Sequence, residues 1–162
     1  MYFNDQALKM GGLLGGAAGA LIVSNLDPAP VKVEKMMAAN NIVVEKMLRD
    51  EFIRELRQSN RFSIVDTAPA DAEFQLFITK YGLSSIPWHK ELQPVVAARA
   101  ELKDADGNVV WSHTRSMSNH SDREIPAVLF DDYMANIELL RIGYNSACQI
   151  VAKDLVKNLS VQ

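Results

Sequence analysis

The sequence predicts an α+β fold. We expect a two-layer sandwich in which a four-stranded, mainly antiparallel sheet carries two long helices on one face, preceded by a glycine-rich apolar N-terminal segment. Three observations lead there. Apolar residues recur at helical spacing over residues 34–59 and again from about Asp131 to Leu159. Four stretches between them alternate apolar and polar residues with period two, and five glycines crowd residues 11–19 among Leu, Ala and Val. Helices that precede and follow a meander cannot both lie on its wet face, so both are expected on the apolar side of the sheet.

The N-terminal segment comes first. Gly11, Gly15 and Gly19 fall four apart, as do Gly12 and Gly16, so in a helix they form one bare ridge that a second helix or a bilayer can approach closely. Each glycine costs a helix interior about 1 kcal/mol relative to alanine, so such a helix needs lipid or a packed neighbour to hold it. Residues 10–23 are too few to span about 30 Å of hydrocarbon. They match a secretory signal only in part, because Asp5 offsets Lys9 and the stretch Leu21 to Asn25 lacks a small-residue cleavage box. Three readings stay open: a membrane-proximal segment of an envelope protein, an atypical signal, or a segment packed on its own domain. Asp27-Pro-Ala-Pro30 then reads as a stiff linker. The expected organisation is residues 1–30 as membrane-proximal segment and linker, and residues 31–162 as one domain.

Within that domain, residues 34–59 form the longest helical candidate. Val44, Met47, Leu48, Phe52 and Leu56 make one apolar stripe, while Glu45 with Arg49 and Asp50 with Arg54 stand at ion-pair spacing. Asn60 marks the end. Arg61 to Asp66 alternates as a short strand with Phe62 and Ile64 on one face, and Ala68 to Asp71 is a turn. Glu73 to Tyr81 reads as the second strand, with Phe74, Leu76 and Ile78 on one face and Gln75, Phe77, Thr79 and Tyr81 on the other.

After a loop over residues 82–94, Val95 to Lys103 reads as a third strand, with Val96, Ala98, Ala100 and Leu102 inward and Arg99, Glu101 and Lys103 on the wet face. Asp104 to Asn108 is a hairpin turn in which Gly107 takes the left-handed conformation. Val109 to Arg115 returns as the fourth strand, bringing Trp111 opposite the third. Residues 116–126 are polar loop. The closing helix starts near Asp131 or, if its first turn is irregular, at Asn136, and its apolar stripe runs through Leu140, Tyr144, Ala147, Cys148, Val151, Leu155 and Leu159.

Composition narrows the function. The chain of 162 residues is 48% apolar and 23% charged, ordinary for one globular domain. Its net charge of −3, with the 17 basic residues scattered, gives no footprint for nucleic acid. Cys148 is the only cysteine, which excludes an internal disulfide and any multi-cysteine metal site, and on an apolar helical stripe it acts as a small hydrophobe. His89, His113 and His120 lack metal-ligand spacing. Asp104, Asp106 and Gly107 lack the third acidic position and closing glutamate of a calcium loop. No nucleophile–base pair and no phosphate-cradling motif can be named, so no enzyme activity, cofactor or metal is expected. The expected contact surfaces are the glycine ridge, the loop carrying Trp88 and His89, and the strand face carrying Arg99 and Glu101. A long connection bearing an aromatic often serves recognition, although packing of that loop over the sheet edge is an equal reading.

The run Phe52 to Asp66, followed by Ala70 to Leu76, resembles a pattern of small Gram-negative envelope lipoproteins, in which a helix ends in Leu-x-x-Ser-x-Arg-Phe before a short strand, Ala-Asp-Ala and a longer strand. Leu102 to Trp111 likewise resembles the strand-turn-strand of several of them. The relatives in view are auxiliary lipoproteins of ABC-type lipid transporters, the lipopolysaccharide-assembly lipoprotein, and the TolB amino-terminal and curli-secretion lipoprotein domains, over about residues 44–112. The resemblance implies a periplasm-facing, membrane-tethered, non-catalytic protein that works with envelope protein partners, or further copies of itself, in a transport, secretion or assembly machine. Those relatives carry a lipidated cysteine after a signal peptide. Cys148 does not match it, so tethering of that kind requires a signal and cysteine upstream of Met1. The competing reading is a soluble domain that holds a small or lipidic ligand between helices and sheet, with residues 10–23 docked on its own core.

Overall fold

The computed structural model describes residues 2–3, 29–65, 70–85, 88–117, 125 and 127–159. The glycine ridge of Gly11, Gly12, Gly15, Gly16 and Gly19, the start of the proline linker, most of the turn before Asp71, Ile86 with Pro87, and His120 lie outside the described residues.

The elements run β1 (Tyr2–Phe3), α1 (Ala29–Ala39), α2 (Val44–Gln58), β2 (Ala72–Ser85), β3 (Leu92–Asp104), β4 (Val109–Ser116), α3 (Phe130–Ala135) and α4 (Ile137–Lys157). Helices α2 and α4 lie on one face of an antiparallel β2-β3-β4 sheet, as expected for an α+β sandwich. Among the described residues the sheet has three substantial strands instead of four. Its order is β1-β2-β3-β4, and β1 contributes only the parallel pairing of Tyr2 with Glu73 and Phe3 with Phe74.

The strand expected over Arg61 to Asp66 does not form in the described part of that stretch. Residues 61–65 are irregular. The Arg61 guanidinium donates to the Leu159 carbonyl at 2.6 Å, and the Phe62 ring meets the edge of Phe74 at 5.9 Å between centroids. The segment therefore closes one end of the helix-side core. Its alternation reflects side chains dipping into that core, with no ladder pairing behind it.

The single helix expected over residues 34–59 is two helices. Helix α1 begins at Ala29, which puts Pro30 in the first turn, where a missing N–H goes unnoticed. It ends at Asn40-Asn41. Asn41 takes the left-handed conformation with φ of 53°, the Asn41 N–H donates to the Ala38 carbonyl at 3.3 Å, and the Ile42 N–H reaches back to the Met37 carbonyl at 2.9 Å. That is a Schellman cap, completed by the burial of Met37 and Ile42 together. Asn60 ends α2 with φ of 52° and an N–H bond to the Arg57 carbonyl at 3.3 Å.

On α2 the stripe of Val44, Leu48, Phe52 and Leu56 is buried as expected. The partners differ from the expected Asp50 with Arg54: Asp50 takes Lys46, also four residues away, at 2.8 Å, and Arg54 pairs with Glu51 at three-residue spacing.

Three T-shaped contacts tie the layers together at Phe74, whose ring centroid lies 5.3 Å from Phe52, 5.9 Å from Phe62 and 6.3 Å from Trp111. Trp111 pairs with Leu102 across the β3–β4 ladder and its indole N–H donates to the Asn158 carbonyl at 3.1 Å. The closing helix starts after Asn136, whose side chain accepts from the Glu138 N–H, and the six-residue α3 precedes it.

One irregularity positions side chains. The β2–β3 register shifts between Ile78 and Lys80, so Thr79 is an extra residue. Phe74, Leu76 and Ile78 face the helices. Beyond the bulge Tyr81 pairs with Val96 and turns to the helix side as well, where a regular strand would have sent it to the opposite face.

Candidate functional site

The sequence-predicted contact residues fall in two separate places. Trp88 and His89 occupy the tip joining β2 to β3. Trp88 is 102% exposed and held at φ of 68°, and His89 Nδ1 lies 3.5 Å from the Glu91 carboxylate. Arg99 and Glu101 are on the sheet face away from the helices. The ladder puts Arg99 seven residues from the strand's start, roughly 23 Å at 3.3 Å per residue, so the tip and this face do not form one site.

Glu101 is also not the exposed residue expected. It is 8% exposed, flanked across the ladder by Gln75 and Ser112, and the guanidinium of Arg99 closes over it. Arg99 Nε donates to Ser112 Oγ at 3.2 Å. Its position in the middle strand, which the alternation could not weigh, accounts for the burial.

Cys148 and Tyr133 are held neutral in the interior. Cys148 is fully buried on α4 with its Sγ 3.9 Å from the Val44 carbonyl, and burial, with Glu51 and Glu45 behind it, pushes the thiol up to about 12. Burial pushes the Tyr133 hydroxyl up to about 12, and it donates to the Leu92 carbonyl at 3.2 Å. His113 Nε2 pairs with Asp154 Oδ1 at 3.1 Å on the helix side of β4.

A cleft of about 250 Å³ opens between α1 and the far end of the sheet. Val33 and Met37 line it from α1, Tyr81 and Leu83 from β2, Leu92 from β3, Phe130 from α3 and Tyr144 from α4, with Glu34 at its side. The bulge at Thr79 delivers Tyr81 to this wall, where its ring meets Tyr144 edge-on at 6.3 Å. Arg141 donates from α4 to the Asn40 carbonyl at 2.8 Å and anchors the end of α1 beside it. The sequence puts Tyr144 on the apolar stripe but carries no signal for the cleft, because the helical period over residues 34–59 hides the break after α1 and plain strand alternation sends Tyr81 to the opposite face.

No protein-family model and no curated protein matches the sequence. Among solved structures the chain is similar to protein XCC0632 from Xanthomonas campestris, of the DUF330 family, with 15% identity, 69% of this chain and 58% of that chain covered, and a TM-score of 0.50. A Caulobacter crescentus protein carried under a lipoprotein name gives 12% identity over 71% of this chain and 79% of that chain, with a TM-score of 0.45. A minor lipoprotein from Acinetobacter baumannii gives 14% identity, 70% and 85% coverage, and a TM-score of 0.36. The chain thus spans less than two thirds of the length of the Xanthomonas protein, and what it shares with that protein is the fold: an antiparallel sheet with helices on one face.

Proposed function

We propose that this chain is a periplasm-facing, non-catalytic accessory protein of the Gram-negative envelope that works by binding another envelope protein. The observation that carries the reading is Trp88. Its aromatic side chain stands wholly in water on a backbone held in the left-handed region, and tryptophan is among the residue types most enriched at the energetic centres of protein interfaces. The run over residues 44–112 that resembles envelope lipoproteins supports the envelope setting.

The test is a photo-crosslinking residue at position 88 in the full chain expressed in a Gram-negative cell, with fractionation alongside. A discrete crosslink to one envelope protein, lost when the reactive residue is moved to the outward position Ser112, is the expected result. Recovery of the chain in the cytoplasm, or equal labelling from both positions, would overturn it.

A further inference from the structure

Strand β4 is the last strand of the sheet, and among the described residues nothing pairs with its outer side. The Met117 N–H donates to the Val96 carbonyl at 3.2 Å, so with period two the backbones of Trp111, His113 and Arg115 turn to β3, while those of Ser112, Thr114 and Ser116 turn outward. Arg115 Nη1 donates to the Ser116 carbonyl at 3.2 Å. The open groups are therefore the N–H and C=O of Ser112 and Thr114. The two edges of the sheet are built differently. On β2 the pairing with β1, the bulge at Thr79 and the exposed Lys80 blunt the edge, whereas β4 has neither proline nor lysine, and its bulge at Val110 lies at the start of the strand.

We propose that this edge pairs antiparallel with the same edge of a second copy of the chain, about a two-fold axis at His113, to give one continuous sheet. Backbone geometry picks the register. Centred on His113, Ser112 faces Thr114 of the second copy and Thr114 faces Ser112, so every open N–H meets an open C=O. An axis at Ser112 would instead pair Thr114 with Val110, where the bulge upsets the ladder. An axis at Thr114 would pair Ser112 with Ser116, whose carbonyl is taken, and set His113 against the Arg115 guanidinium. Side chains agree with the first. On the helix side Arg115 faces Trp111 of the second copy, a cation beside an indole, and stands diagonal to His113, which Asp154 holds at 3.1 Å, so a guanidinium and a carboxylate approach each other across the axis. On the other face Thr114 meets Ser112, both small and exposed. The axis is perpendicular to the sheet, which keeps α2 and α4 of both copies on one side.

The test is sedimentation velocity on the full chain from about 1 µM to about 1 mM, since one strand pair buries less than the roughly 1,200–2,000 Å² of a standard interface and associates weakly. A dimer that grows in with concentration is expected. Thr114→Pro removes an outward N–H and no bond to β3, so it is expected to weaken association about tenfold or more with circular dichroism unchanged, and Ser112→Pro is a second variant of the same kind. Register is read by oxidising single-cysteine variants, with Cys148 left buried in place. His113→Cys, at side chains directly opposed across the axis, is expected to give a disulfide-linked dimer, and Ser112→Cys and Thr114→Cys are not. A monomer at every concentration, association unchanged by the proline variants in folded protein, or a linked dimer from position 112 or 114 and none from 113 would each overturn the proposal. A photo-adduct from position 112 is on this reading a chain-to-chain adduct, told by mass from a partner adduct at position 88, so the two readings stand or fall separately.

Discussion

Gly143 shows how a single side chain's absence sets the distance between the two layers. A Cβ added there would lie 2.6 Å from Pro94 Cγ, closer than such atoms approach in real structures, and a tight 3.3 Å from Pro94 Cδ. Alanine would gain about 1 kcal/mol of helix propensity at this α4 position, but forcing α4 off the rigid proline ring costs about 1–3 kcal/mol. Gly143→Ala is therefore expected to lower stability in urea titrations, and Pro94→Ala in the same chain to recover it. Pro94 itself is tolerated for a readable reason. Leu92 exchanges both backbone bonds with Val128, so the nitrogen of Pro94, two residues on, points to that same side, where β4 pairs only from Ala97 onward. Cys148 gives a second test at this scale. With its thiol buried and pushed up to about 12, it is expected to resist a disulfide reagent at pH 8 until denaturant is added. Cys148→Ser is expected to cost about 1–3 kcal/mol, because a hydroxyl replaces a thiol whose nearest acceptor is 3.9 Å away.

At the scale of the element, the β3–β4 turn carries its own pH dependence. Asp104 Oδ1 accepts from the Asn108 N–H at 2.8 Å and the Asp106 N–H at 3.0 Å, and these bonds, led by that to Asn108, hold its carboxyl below the ordinary value of 3.8. A carboxyl depressed in the folded state stabilises the fold above its unfolded value, and that contribution is lost as pH falls through the depressed one. The melting temperature is expected to drop on acidification below 3.8 more steeply in the native chain than in Asp104→Asn, whose amide oxygen still accepts but does not titrate.

This turn was legible because Asp-x-Asp-Gly-Asn has one local solution. The strands at 73–81, 95–103 and 109–115 were legible because a half-buried strand must alternate. The break at Asn41 was not, since a Schellman cap built on asparagine leaves the apolar period on both sides nearly intact. Nor was the true state of Arg61 to Val65, because Phe62 and Ile64 can be buried by packing as well as by pairing. The candidate sites divide in the same way. Trp88 stood out as an aromatic in a long connection, whereas the cleft lined by Tyr144 arises only where the Thr79 bulge, α1 and α4 meet.

For the molecule as a whole, the described core is one continuous body. Phe52 and Leu56 of α2, Phe74 and Leu76 of β2, Ala98 and Ala100 of β3, and Tyr144, Val151 and Leu155 of α4 all belong to a single buried cluster, with Phe74 at the junction of helix, sheet and the irregular Phe62 segment. A core without an internal seam unfolds in one step. The two tryptophans allow this to be read cleanly, since Trp88 is wholly in water and Trp111 is half-buried against Phe74. In a Trp88→Phe background, Trp111 fluorescence reports the sheet and far-ultraviolet circular dichroism reports mainly the helices. The two urea transitions are expected to coincide, and Phe74→Ala is expected to move both together by about 3–5 kcal/mol, a third or more of the stability of a typical domain. Separate midpoints would mean that α2 and α4 hold together without the sheet, and Phe74 would then not be the residue that joins them.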